Sequence, residues 1–131
     1  MKIDHIGLVV KSVSEAASQL SARFGYVVAT DMIDVPSQKI RCQYVENAQG
    51  VRLQLIEPSR PDSPVSGALK KGGGLHHICY ACSDLTRELE RCRRAGGLVV
   101  TKPFSGEGVG GRLAAFVMDP VLGLIELVAE D

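Results

Sequence analysis

The chain has 131 residues, the length of one ordinary domain with enough interior to bury a real core. Fifteen Lys and Arg balance fifteen Asp and Glu, which excludes the global basic field that draws a protein to nucleic acid or to an anionic membrane. Aromatic residues make up only 5%, and the 45% hydrophobic content comes in short runs, none approaching the roughly 18 apolar residues of a membrane span. No basic and apolar leader precedes Ile3 and His5. The expectation is therefore a cytoplasmic chain without a signal peptide and without nucleic-acid or membrane partners.

Residues 2–10 are rich in Ile and Val and alternate weakly, which suits a strand covered on both faces. Ser12 or Ser14 is placed to cap a helix over residues 14–24, in which Ala17, Leu20 and Phe24 recur at helical spacing and after which Gly25 supplies the stop. Residues 26–35 read as a strand running into Pro36, residues 40–46 as the next strand, and residues 47–50 as a hairpin turn. From Val51 to Glu57 the alternation puts Arg52, Gln54 and Ile56 on one face and the leucines on the other. Between residues 58 and 74 the composition shifts to Pro, Ser, Gly and Lys, as in a connector, within which residues 65–71 suit a short helix.

The second half repeats this order. A strand over 75–82 is followed by a cap at Ser83 or Asp84, a helix to Ala95, a stop at Gly96-Gly97 and a strand over 98–101. A glycine-rich loop over 105–111 leads to a strand over 112–118, a turn at Asp119-Pro120 and a last strand over 123–129. His5 falls on His77, Gly25 on Gly97, Val27-Val28 on Val99-Val100 and Gln54 on Glu126, each at an offset of 72. Such a shared offset is the trace of a duplicated βαβββ module. The expected fold is α+β: two tandem βαβββ modules forming a curved, partly closed mixed sheet around a metal-binding pocket, with the helices outside. One domain spans 1–131, with module 1 over about 1–58, a linker over about 59–73 and module 2 over about 74–131.

In the run Leu75-His76-His77-Ile78 the two histidines point to opposite faces of a strand. The offset selects His77 as the partner of His5 and leaves His76 a structural residue. Glu126 lies between Ile125 and Leu127, and an inward carboxylate needs partners because its burial unpaired is costly. His5 to Gln54 and His77 to Glu126 are both separations of 49. Two imidazoles, a carboxylate and an amide oxygen suit a divalent first-row ion (cobalt, manganese, nickel, iron or zinc) with positions left open for substrate oxygens. With one carboxylate the site keeps a net charge of about +1, which favours an enolate or carboxylate ligand. The four cysteines, Cys42, Cys79, Cys82 and Cys92, read as small buried hydrophobes. Cys79-x-x-Cys82 lies in a strand, not at a helix N-terminus, and no second pair completes a zinc set.

Several segments carry a resemblance over nearly the whole chain: Asp4-His5-Ile6-Gly7, Gln54-Leu55-Ile56-Glu57-Pro58, Pro61-Asp62-Ser63-Pro64-Val65, Gly74-Leu75-His76-His77-Ile78, Gly110-Gly111-Arg112 and Gly123-Leu124-Ile125-Glu126-Leu127. In these the chain resembles the vicinal oxygen chelate, or glyoxalase-like (glyoxalase/bleomycin-resistance/dioxygenase), superfamily, and within it the methylmalonyl-CoA epimerase branch. The resemblance implies His5, Gln54, His77 and Glu126 as metal ligands, and enolisation of a small acyl-CoA or acyl thioester by proton abstraction at the α-carbon. Inversion needs an acid or base on each face. Glu126 would be one; where some epimerases carry a second glutamate this chain has Arg41-Cys42-Gln43, leaving Cys42 as the candidate. Lys70, Lys71, Gly110, Gly111 and Arg112 are candidate contacts for the coenzyme or carboxylate, and a homodimer is the expected assembly. The alternatives are a glyoxalase-like lyase or isomerase acting on another vicinal dioxygen substrate, and a resistance-type protein that sequesters a small molecule.

Overall fold

The alternation of the first strand reappears as burial. Of Lys2–Val9 (β1), His5, Gly7 and Val9 are buried, whereas Ile6 and Leu8 lean on a second cluster beneath the helix Val13–Phe24 (α1). Ser12 caps α1 by accepting from the Glu15 amide, and Gly25 ends it in the left-handed conformation at φ 72°. Val27–Val28 (β2) and Ile33–Val35 (β3) follow, then a 3₁₀ turn over Pro36–Gln38, Ile40–Glu46 (β4) and Arg52–Pro58 (β5). The later elements are Ser66–Lys70 (α2), Gly74–Cys82 (β6), Leu85–Arg94 (α3), Leu98–Val99 (β7), Phe104–Ser105 (β8), Leu113–Asp119 (β9) and Gly123–Ala129 (β10). A second 3₁₀ turn, Glu107–Val109, joins β8 to β9.

The computed structural model describes residues 1–130, and the chain divides into two units, one from His5 to His76 and the other from His77 onward together with Met1–Asp4. In the first the strand order is β2-β4-β5-β1, with β3 also on β4. β1 runs parallel to β5 with Gly7 beside Gln54, and β4 runs antiparallel to β5 with Tyr44 opposite Gln54. The other unit has the order β6-β10-β9-β7, with β8 on β9. There β10 is parallel to β6 with Glu126 beside Cys79, and antiparallel to β9 with Phe116 opposite Glu126. Each unit is thus mixed α+β with the strand and helix order of a βαβββ module. Among the described residues no helix is long and apolar enough to cross a membrane.

Within each unit the strands present two apolar faces. In the first unit Leu53, Leu55 and Val45 pack under Val13 and Ala17 of α1, whereas Val9, Ile40, Cys42 and Ile56 form a separate cluster with Val35 and Val65. In the second, Leu127, Ala115 and Val117 pack under Leu85 and Leu89 of α3, and Cys79, Ala81, Ala114 and Val128 lie with Val109 on the other side. None of the four cysteines is in a disulfide, and Cys79 and Cys82 belong to opposite faces. Their spacing is incompatible with a shared metal or disulfide, as the strand period requires.

The strand expected over residues 26–35 is broken in two. Val28 pairs with Val45 and Ile33 with Cys42, so four residues of one strand stand against two of the other, as in an extended bulge. The Thr30 hydroxyl completes the ladder there by accepting from the Tyr44 amide at 3.1 Å, and Thr101 does the same for Phe116 at 2.8 Å. The offset also needs correction. Val28 opposite Val45 corresponds to Val99 opposite Val117, and the left-handed helix stop is Gly96 rather than Gly97. The repeat therefore slips to 71 from the end of α3 through the turn whose left-handed residues are Lys39 and Gly110. It returns to 72 at β9, since Cys42 pairs with Ile33 as Ala114 does with Phe104. One residue lost at the helix end is balanced by one gained at Gly111, leaving the inward positions of β9 and β10 in register.

The connector is packed, with Val65 buried and Ala68 and Leu69 laid against Val9, Ile40 and Ile56. Its exit is tight. Gly73 has φ 70°, and a Cβ there would lie 2.5 Å from the Val9 carbonyl oxygen. Gly73→Ala combines left-handed strain with a backbone clash and is expected to destabilise the protein by about 1–3 kcal/mol. A chemical-denaturation midpoint identical to that of the unsubstituted protein would show that the close approach is dispensable.

Candidate metal and active-site residues

In the second unit His77 and Glu126 are both buried, and Nε2 of His77 lies 3.2 Å from Oε1 of Glu126. β6 and β10 fix them from below: Cys79 stands beside Glu126 in the parallel register, and Phe116 stands opposite it. Phe116 also meets the His77 ring edge-on, with centroids 5.4 Å apart and planes at 89°, and is itself stacked on Phe104. Burial is the chief reason the Cys79 thiol is held far above its ordinary range, and the Glu126 charge adds to it. Cys79 is thus a neutral wall of the carboxylate, not a nucleophile.

The first unit presents the equivalent set. His5 is fully buried and Gln54 is buried on the neighbouring strand. Tyr44 lies opposite Gln54 and meets His5 edge-on at 5.2 Å and 83°. Tyr44 and Phe116 differ by 72 in number, so each histidine is braced by an aromatic ring from the equivalent strand position. Neither ring stands out by residue type, although the offset of 72 is sufficient to find them. A ring edge against an imidazole is a favourable quadrupolar contact that limits ring rotation.

The remaining expected residues are distributed differently. His76 is only partly buried, as expected for the face opposite His77. Cys42 is fully buried in the apolar cluster with Val9, Val35, Ile40, Ile56 and Val65. Lys70 and Lys71, at the end of α2, are exposed. Arg112 is held by Asp4 at 3.0 Å and by the Val109 carbonyl, to which its Nε donates at 2.9 Å. Within the glycine-rich loop the amides of Val109 and Gly111 both donate to the Gly106 carbonyl, that of Gly110 to Glu107, and that of Arg112 to Val109. The donors that the sequence suggested for an anion thus close a turn instead.

The mixed α+β fold carries a buried imidazole–carboxylate pair on adjoining strands, and His77 with Glu126 offers nitrogen and oxygen donors of the kind a divalent ion accepts. Residues 4–116 match the model of the Glyoxalase/Bleomycin resistance protein/Dioxygenase superfamily, and the chain belongs to that family. It is 34% identical over 117 residues to the uncharacterised protein YqjC of Bacillus subtilis, covering 88% of this chain and 81% of that protein. It is 26% identical over 118 residues to the ethylmalonyl-CoA/methylmalonyl-CoA epimerase of Cereibacter sphaeroides, covering 88% and 87%. Among solved structures, a variant methylmalonyl-CoA epimerase of Streptomyces coelicolor in complex with 2-nitronate-propionyl-CoA superposes with a TM-score of 0.84 at 28% identity, over 99% of this chain and 97% of that one. The fold is thus that of the epimerases.

Proposed function

We propose that the chain is a metal-dependent isomerase that enolises an acyl-CoA of the methylmalonyl type. The observation that supports this reading most is the buried His77–Glu126 pair at 3.2 Å, matched in the other unit by buried His5 and Gln54. A carboxylate enclosed beside an imidazole, an aromatic ring and a neutral thiol is costly without a cation. His5, Gln54, His77 and Glu126 are the residues that would hold one divalent ion, and their nitrogen and oxygen donors fit cobalt, manganese, nickel, iron or zinc. When bound, the ion supplies charge stabilisation to the enolate oxygen.

The chain's own part is proton transfer. Glu126 is assigned to take the α-proton, with the paired His77 and the ring of Phe116 fixing its orientation. Return of a proton on the other face gives inversion, and Cys42, buried but on the same face of β4 as Tyr44, is the residue assigned to it. Lys70 and Lys71, exposed near the connector, are the cations offered to coenzyme phosphates. The Cereibacter and Streptomyces relatives are an epimerase of malonyl-type thioesters and an epimerase holding a nitronate thioester, in agreement with an enolate site.

The test is solvent deuterium exchange into methylmalonyl-CoA, read by mass spectrometry and NMR, after removal of metal and reconstitution with cobalt, manganese and zinc in turn. Metal-dependent exchange with interconversion of the two epimers is the expected result, with one ion bound per chain. Cys42→Ala is expected to keep exchange and lose inversion. Exchange without inversion in the unsubstituted protein would retain the enolate chemistry and transfer the reading to another vicinal dioxygen substrate. Absence of exchange with every metal would overturn the reading.

A further inference from the structure

The two halves of the donor set differ in one respect. Arg52 lies on the Gln54 face of β5, and the equivalent position 72 residues on is Leu124. The register that pairs Ile6 with Leu53 and Gly7 with Gln54 carries, one step back, to His5 beside Arg52. The guanidinium lies over the Tyr44 ring, with Cζ 4.2 Å from the centroid, and the same ring meets His5 edge-on. Arg52 thus occupies the face that presents His5 and Gln54, in a position its counterpart has made apolar.

Its hydrogen bonding is incomplete. Nε of Arg52 is buried without a hydrogen-bond partner among the described residues, and the Glu46 carboxylate stands 3.6 Å from it, in ion-pair but not hydrogen-bond range. The side chain as a whole is 33% exposed, so Arg52 rests on the ring beneath it with part of its surface open to a ligand. A guanidinium stacked on an aromatic face is pre-oriented and presents a planar fork, the geometry that suits a carboxylate. The orphaned Nε is unfavourable where it stands, so the side chain gains from any shift that gives it an acceptor.

We infer that Arg52 is a specificity-determining residue that receives the free carboxylate of a dicarboxylic acyl thioester. The inference rests on the function proposed above and adds to it the residue that selects the substrate: Arg52 favours a thioester whose α-carbon also bears a carboxylate over one bearing a neutral ketone. A carboxylate has two oxygens. One is free to act as a metal ligand while the other accepts from the Arg52 fork, an arrangement that a ketone, with one oxygen, has no use for.

The test compares the metal-loaded protein with R52M, which keeps an apolar stem on Tyr44 without charge, and R52K, which keeps charge without the fork. Binding of methylmalonyl-CoA and of 2-methylacetoacetyl-CoA is measured by calorimetry, and deuterium exchange is followed in parallel. Loss of a charge-assisted pair predicts that R52M binds methylmalonyl-CoA about ten- to a hundredfold more weakly. R52K is expected to recover only part of this, and the ketone thioester should change less than about twofold, within the scatter of a surface substitution. Equal weakening for both thioesters would make Arg52 a structural support of Tyr44 and overturn the inference. So would an unchanged affinity for the carboxylate, or no binding of methylmalonyl-CoA to the unsubstituted protein. Arg52-dependent binding without exchange would sustain the subsite and reject the isomerase.

Discussion

His77→Ala is expected to weaken binding of the divalent ion at least about a hundredfold, because losing a ligand costs no less than losing one of the groups that merely orient a ligand. Glu126→Gln is expected to lower metal-dependent exchange by about a thousandfold, the range in which a positioned acid or base contributes. His76→Ala should leave both quantities within about twofold, since substitutions away from such features are close to neutral. The contrast between neighbouring histidines is the discriminating part. Their side chains leave β6 on opposite faces, and only His77 lies 3.2 Å from the Glu126 carboxylate. If His76 proves essential and His77 dispensable, the equivalence of His5 with His77 has failed. Titration of cobalt followed by its visible absorption measures affinity without requiring turnover, so metal loss and loss of the proton carrier are read separately.

That equivalence is legible in the sequence because the duplicated unit retains its spacing where side chains point inward. His5 and His77, Tyr44 and Phe116, and Gln54 and Glu126 keep the offset of 72, since a one-residue slip in a strand would turn each of them to the opposite face. The offset was misread only where the backbone is free to differ. The offset of 72 matches Gly97 to Gly25, yet the left-handed stop of the second helix is Gly96, one residue being absent there and restored at Gly111. Strand β10 was read to the residue because Gly123 and the alternation around Glu126 bound it. The segment from residue 26 to 35 was not, because the Thr30 hydroxyl replaces a backbone partner and lets two short strands share β4. No periodicity carries that information.

The residues proposed for anion contacts are the least legible. Lysines and glycines in sequence carry a composition, and their partners are set by tertiary placement. The glycine-rich loop resolves into a turn whose amides are used internally, and Arg112 is held by Asp4. Arg52 was assigned to the Gln54 face from alternation alone, but nothing in its spacing told of the Tyr44 ring beneath it. A cation next to a donor set is recognised by what remains unpaired, and that is a property of the packed structure.

Leu55→Ala and Leu127→Ala are each expected to destabilise the metal-free protein by about 3–4 kcal/mol, within the range for a leucine removed from a closed core. Leu55 is fully buried and Leu127 is 2% exposed, and the two occupy equivalent positions on β5 and β10. Leu55 packs under Val13 and Ala17, and Leu127 under Leu85 and Leu89, so the space left by either side chain is roofed by a helix that cannot collapse into it without moving its own contacts. Each leucine also adjoins a proposed metal donor, Gln54 or Glu126, pointing to the opposite face. Alternation makes the leucine the anchor that sets the donor's height above the sheet. Denaturant unfolding should therefore be run with and without metal. A ligand at about a hundred times its dissociation constant restores about 2.7 kcal/mol to a fold that still binds it. Recovery of that size in Leu55→Ala would mean that Gln54 is held by β5 itself, and recovery well below it would mean that the leucine positions the donor. A loss under about 1 kcal/mol in either variant would contradict the packing described for that face, since Leu→Ala in a closed core costs at least about 2 kcal/mol.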